Sequence, residues 1–366
     1  MVNEPLLSGN EKKYINECID TGWISSEGPF VQKFEKLLAD FVGRNYATAC
    51  TSGTAAIDIA VSALKLQEGD EVIMPSFTII SCAQALTKLG IKPILVDCEY
   101  DTFNMKIEDI EPKINSKTKA IMMVHMYGLT VDVDQILNLA KKYNLKVIED
   151  AAHAIGLTYK GQQCGSFGDI SIFSFYPNKH ITTGEGGMVL CNDSNLDQRS
   201  KSLRNLFFSD QRFVHHEIGF NYRMTNIQAA LGVAQLENIE KIVRKKRWIG
   251  ETYNHLLRDL DMLNLPIKFT KYCENIYWVY AITLKEKFSK TALEVMSGLK
   301  ELKIGTRPFY YPMHQQPVFN KSGLFLKDKF PNSEKLYTTG FYIPSGLALT
   351  KDQVEEVSRG LHTVLS

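Results

Sequence analysis

The chain has 366 residues, 44% of them apolar, enough for a sizeable core shared between about two domains. Lysine and arginine number 42 against 41 aspartates and glutamates, and a net charge of +1 gives no electrostatic case for nucleic acid or an anionic membrane. The opening "MVNEPLLSGNEKKY" has no basic region leading into an apolar one, and no apolar run approaches the roughly 18 residues of a membrane span, so a cytoplasmic protein is expected.

In chain order, "AIDIAVSALKL" after Gly53 has helical spacing, while "DEVIMPSFT" and "PILVDCE" read as short strands. The most apolar segment, "KAIMMVHMYGLTV", reads as a core strand running into a loop at Gly128. "VDQILNLAKKYN" is helical, and "LKVIEDAA" and "GDISIFSFY" are strands. Alternation of this kind predicts an α/β fold with a largely parallel sheet covered on both faces. From "TNIQAALG" onward a long helical stretch follows, and then shorter elements with prolines at 266, 308, 312, 317, 331 and 344. The division is expected near 245, giving a large domain over 1–245 and a smaller α+β domain over 246–366. The basic run "KIVRKKRW" (241–248) is expected to face solvent or another subunit. Seven cysteines lie scattered with no C-x-x-C, which argues against a disulfide framework and a zinc site, so no metal is expected.

Three features stand at the ends of predicted strands, where α/β sheets place ligands. "TSGTAA" (51–56) is a glycine turn opening a helix, suited to a phosphate or serving simply as a cap. "VIEDAAHA" puts Glu149 and Asp150 at a strand end, where an acid caps the next helix or pairs with a ring nitrogen. "SFYPNKHITTGEGG" (174–187) sets Lys179 between an apolar strand and a glycine cluster, five residues after Ser174. Lysine is normally spent on exposed surface. Together the three match the needs of pyridoxal 5'-phosphate (PLP): an amine for its aldehyde, a carboxylate for its pyridine nitrogen and an anchor for its phosphate.

"IDTGWISSEGPFVQKFE", "GTAA", "EDAAHA", "GDISIFSFYPNKHITTGEGGM", "GFNYRMTNIQAALG" and "RPFYYPMH" resemble the DegT/DnrJ/EryC1/StrS sugar aminotransferases over nearly the whole chain. The resemblance implies a fold-type-I, aspartate-aminotransferase-like large domain with a homodimer building shared active sites. It implies that Lys179 holds the cofactor as a Schiff base and moves the proton, and that Asp150 pairs with the pyridine nitrogen. His153 would stand beside the ring hydroxyl. Gly53, Thr54 and Ser174 would hold the phosphate, with Asn221 reaching it from the neighbouring subunit. Trp23, Ser25, Arg223, Tyr310 and His314 fall in segments that would line the substrate cleft. His314 and Arg223 have structural readings as well, the one closing a proline-rich loop and the other lying at a subunit interface.

One position departs from the family. Where it often stacks an aromatic residue on the cofactor ring, this chain has Ile79, and Phe77, if on a strand, points the same way. The family also contains a dehydratase branch with histidine in place of the lysine, so Lys179 favours transamination. His180 beside it is expected to pack or hydrogen-bond. A non-catalytic regulator would have lost the lysine. The implied reaction moves an amino group from glutamate to the ketone of a nucleotide-linked 4-keto-6-deoxy sugar. The motifs are most similar to the branch acting at C4 of GDP-4-keto-6-deoxy-mannose; UDP- or dTDP-linked sugars and C3 ketones are the alternatives.

Overall fold

The computed structural model describes residues 2–208, 211 and 213–366. Short β-branched and apolar runs form β1 (Tyr46–Cys50), β2 (Glu71–Pro75), β3 (Lys92–Val96), β4 (Thr118–Val124) and β5 (Lys146–Asp150). A hairpin of β6 (Thr158–Tyr159) and β7 (Gln162–Gln163) precedes β8 (Ile170–Ser174) and β9 (Gly187–Cys191). Seven of these make one sheet in the order β1-β9-β8-β5-β4-β2-β3. Pairing from β8 through to β3 is parallel, and β9 alone runs against its neighbours β1 and β8. The C-terminal ends of β1, β2, β4, β5 and β8 therefore meet at one edge of the sheet.

Strand interiors are buried on both faces, as a parallel sheet between helices requires. Helix Gly53–Ala63 turns alanine, isoleucine and valine inward nearly all round, so it lies within the core. Helix Pro29–Val42 buries Phe30, Phe34 and Leu38, spaced by four, in a second cluster with Ala229, Ala230 and Val233.

The long helical stretch after Thr225 is two helices, Asn226–Leu236 and Ile239–Leu257, broken at Glu237 and Asn238. Residue 245, where a division was expected, lies inside the second. Lys246 in the basic run departs from expectation. It is 3% exposed, and its Nζ donates to the carbonyls of Trp278 at 2.8 Å and Ser345 at 2.6 Å. It falls on the helix face shared with Ile242, Val243 and Ile249, so periodicity carries it inward while Lys241 and Arg244 face solvent.

A second, antiparallel sheet takes β10 (Leu263–Asn264), β11 (Tyr280–Leu284), β12 (Arg307–Pro308) and β13 (Gly340–Ile343) in the order β10-β11-β13-β12. Helices Ile239–Leu257, Ala292–Glu301 and Lys351–Leu365 share its apolar cluster. The N-terminal segment returns to this part, where Ser345 donates its N–H to the carbonyl of Val2 at 3.0 Å.

Candidate active site

A cavity of about 370 Å³ opens at the ends of the parallel strands. Its lining includes Gly53, Thr54, Asp150, His153, Ser174, Lys179 and Tyr310, drawn from segments far apart in sequence. Each arrives by a local rule. Ser52 caps the helix Gly53–Ala63 by accepting from the Ala55 N–H at 3.1 Å, while the N–H groups of Gly53 and Thr54 at the helix start have no intrahelical acceptor. Gly53 sits against Ser174 so closely that a Cβ there would stand 2.6 Å from Ser174 Cβ and 2.9 Å from its Oγ. Helix start and strand end thus present backbone N–H groups and a hydroxyl together, a cradle for a phosphate. The Thr54 and Ser81 hydroxyls are 2.8 Å apart at the same place.

Asp150, the last residue of β5, is 2% exposed. Its carboxylate accepts from the Ala152 N–H at 3.0 Å and the Cys82 thiol at 3.3 Å, and burial raises its pKa. Such an acid calls for a cation, and a protonated ring nitrogen is one. Glu149 points to the opposite face of the strand. It accepts from His125 Nε2 at 3.0 Å, from Gly165 N–H at 2.5 Å and from Phe167 N–H at 2.7 Å, so it belongs to the fold. Buried Cys164 lies near this pair, and the second ring nitrogen, His125 Nδ1, accepts from Val131 N–H at 3.3 Å.

Lys179 follows the turn after β8, and burial pulls its pKa down to about 7, with Asp150 pulling the other way. His153 is held neutral, its pKa pushed well below normal by burial and by Lys179. Its Nε2 is 3.4 Å from the Tyr310 hydroxyl, while its Nδ1 and the Asn178 Oδ1 are buried without a hydrogen-bond partner among the described residues. His180 turns away from the cavity to the Ile276 carbonyl at 3.2 Å, and burial lowers it to about 3.

The other expected residues lie elsewhere. Trp23, Ser25 and Arg223 line a separate surface groove of about 880 Å³, where Arg223 donates to the Asn205 side chain. Asn221 is exposed and bridges Asn205 through the backbone, outside the cavity of this chain. His314 is 4% exposed; its Nδ1 meets the Ser76 hydroxyl at 2.9 Å and its Nε2 meets Glu334 at 3.0 Å, so both ring nitrogens are spent within the fold. Ile79 lines the cavity at 38% exposure, whereas Phe77 is fully buried among Phe103, Tyr127, Phe309 and Tyr310. The expectation that the two share a side fails because β2 ends at Pro75 and strand alternation ends with it.

Sequence reasoning missed Trp278, whose ring stacks on His153 with centroids 3.5 Å apart. It also missed Tyr342 from β13 and Cys82 beside Asp150. Asn178 and Glu185, which also line the cavity, lay inside the quoted lysine motif.

The residues present fit PLP: an amine of lowered pKa, a buried carboxylate with no ion-pair contact among the described residues, two polar atoms without partners there and a cradle a single Cβ would fill. Known proteins agree. A GDP-perosamine synthase from Escherichia coli O157:H7 is 42% identical over 100% of this chain and 98% of its own length. One from Vibrio cholerae is 39% identical over 97% and 96%. Among solved structures, a Helicobacter pylori aminotransferase involved in pseudoaminic acid biosynthesis superposes with a TM-score of 0.95 at 26% identity, covering 100% of this chain and 98% of that one. Fold and site together define a PLP-dependent aminotransferase of fold type I. Residues 5–362 match the DegT/DnrJ/EryC1/StrS aminotransferase family, and the chain belongs to it, as a sugar aminotransferase.

Proposed function

We propose that the protein moves an amino group from glutamate to C4 of GDP-4-keto-6-deoxy-mannose, forming GDP-perosamine. The observation that carries the chemistry is Lys179 sharing one cavity with Asp150 and with the helix start at Gly53. The choice of sugar rests on three full-length relatives, 39%, 42% and 41% identical, each described as a GDP-perosamine synthase.

When bound, PLP supplies an aldehyde that accepts the amino group and a ring that draws electrons from the bond being broken. The protein supplies position and protons. Asp150 would hold the ring nitrogen charged, the first turn of helix Gly53–Ala63 and Ser174 would hold the phosphate, and neutral His153 would serve the ring hydroxyl. Lys179 Nζ takes the proton from glutamate Cα in the first half of the reaction and delivers one to the sugar carbon in the second. A pKa of about 7 suits an amine that must both take and give a proton near neutrality. Tyr310 closes the cavity from the loop after β12, and His314 steadies the loop around Ser76. Asn221, with Trp23, Ser25 and Arg223 around it, completes a neighbouring subunit's site in a homodimer. The two parts of the chain, about 1–245 and 246–366, enclose the sugar between them.

The test separates the two halves of the reaction. Glutamate should bleach the visible absorbance of the PLP-loaded enzyme, and after its removal GDP-4-keto-6-deoxy-mannose should restore it. Recovery only with a UDP- or dTDP-linked ketosugar would keep the chemistry and move the substrate. No response to glutamate would sink the aminotransferase reading.

A further inference from the structure

Trp278 precedes β11 and is 2% exposed, yet its indole lines the cavity. It is fixed at both polar ends. The indole N–H donates to the Asn178 carbonyl at 2.9 Å, and its own carbonyl accepts from buried Lys246 at 2.8 Å. The His153 imidazole lies parallel to it, 9° between planes, and Tyr127 stacks more loosely with centroids 5.8 Å apart. Lys179 Nζ lies 4.1 Å from the centre of the indole. An ammonium so placed is attracted by the negative face of the ring, and tryptophan offers the strongest such face.

We propose that Trp278 is a positioning residue for Lys179, its indole being the resting place of Nζ whenever that amine is not bonded to the cofactor. Lysine has a four-carbon stem with many rotamers, and a proton shuttle must stay over one carbon between transfers. A plate fixed at both ends supplies that hold for the ammonium without tying Nζ to one hydrogen-bond acceptor. The proposal rests on Lys179 being the reacting amine.

The charged and titratable groups around Nζ are few. Asp150 ends β5, His153 follows in the next loop, and His180 adjoins in sequence. Tyr310 comes from the loop after β12, Tyr342 from β13, Tyr176 from the turn after β8, Glu185 from the glycine turn, and Lys246 from helix Ile239–Leu257 behind Trp278. Of these, Asp150 favours the ammonium and burial opposes it. The indole adds to the Asp150 side.

The test uses cofactor-free protein. Competitive acetylation across the neutral pH range, read at Lys179 by mass spectrometry, gives the midpoint at which the amine becomes reactive. Replacing the tryptophans with 5-fluoro- and then tetrafluorotryptophan keeps ring shape while draining charge from the face. The midpoint should fall in steps, by about 0.5 to 1 pH unit in all. Trp278→Leu should lower it at least as far, and Trp278→Phe should fall between. A folded, fluorinated protein with an unmoved Lys179 midpoint would overturn the proposal, because it would show that Trp278 only packs. The aminotransferase reading is scored separately, by whether glutamate still bleaches the PLP-loaded enzyme.

Discussion

Glu149 and Asp150 carry the same charge one residue apart, and the strand sends them to opposite faces. Glu149 meets donors that satisfy its charge, two of them backbone N–H groups. Asp150 meets one backbone N–H and a thiol, and burial raises its pKa. A carboxamide at each position should therefore fail differently. Asp150→Asn keeps the size and removes the charge facing the cofactor ring, so the glutamate half-reaction should slow on the order of 100-fold or more, with the fold intact. Glu149→Gln turns an NH2 group toward buried donors and should cost about 1–3 kcal/mol of stability, with the half-reaction of the folded enzyme little changed. Stopped-flow absorbance and thermal unfolding read the two effects. A stable, fully active Asp150→Asn protein would remove Asp150 from its proposed role.

The helix Gly53–Ala63 is the element on which the proposed phosphate cradle turns, and at its junction with β8 a Cβ on Gly53 would stand 2.6 Å from Ser174 Cβ. Gly53→Ala brings a better helix former, yet its Cβ would force Ser174 away from the first turn. The expected result is PLP affinity weaker by about tenfold or more, because a hydroxyl donating to a charged phosphate contributes roughly 1.5–3 kcal/mol. The cofactor-free melting temperature should change little, so equilibrium titration with PLP separates this from general damage. This junction was legible in sequence because turn, cap and strand end lie in short contiguous stretches. So were Lys179 and Asp150, each at the end of an apolar run. Trp278 was not: nothing in "NIYWVY" says that a tryptophan from the second half of the chain will reach a lysine at the end of β8. The sides taken by Phe77 and Ile79 were misjudged because the end of β2 at Pro75 leaves no periodic mark. Lys246 was hidden in a basic run, where composition outweighed its place on the helix face.

At the scale of the whole molecule, the expected residues fall into two places on one chain. Lys179 and Asp150 share the cavity, while Trp23, Ser25 and Arg223 line a groove elsewhere and Asn221 is exposed near it. Two large apolar side chains that line that groove, Trp23 and Ile24, are each 52% exposed. A twofold dimer resolves both oddities if the groove of one subunit covers the cavity mouth of the other. Each complete site then needs Lys179 from one chain and Asn221 from its partner. Lys179→Ala should abolish turnover, and Asn221→Asp should cripple it by setting a carboxylate against the phosphate. Co-expressed with different tags and purified as the mixed dimer, the two inactive chains should regain one working site, since each supplies what the other lacks. The purified mixed dimer should show about half of wild-type activity, one good site of two, and the unfractionated random mixture about a quarter. Mixed dimers without activity would show that each chain builds its site alone, and Asn221 would lose its proposed place at the phosphate.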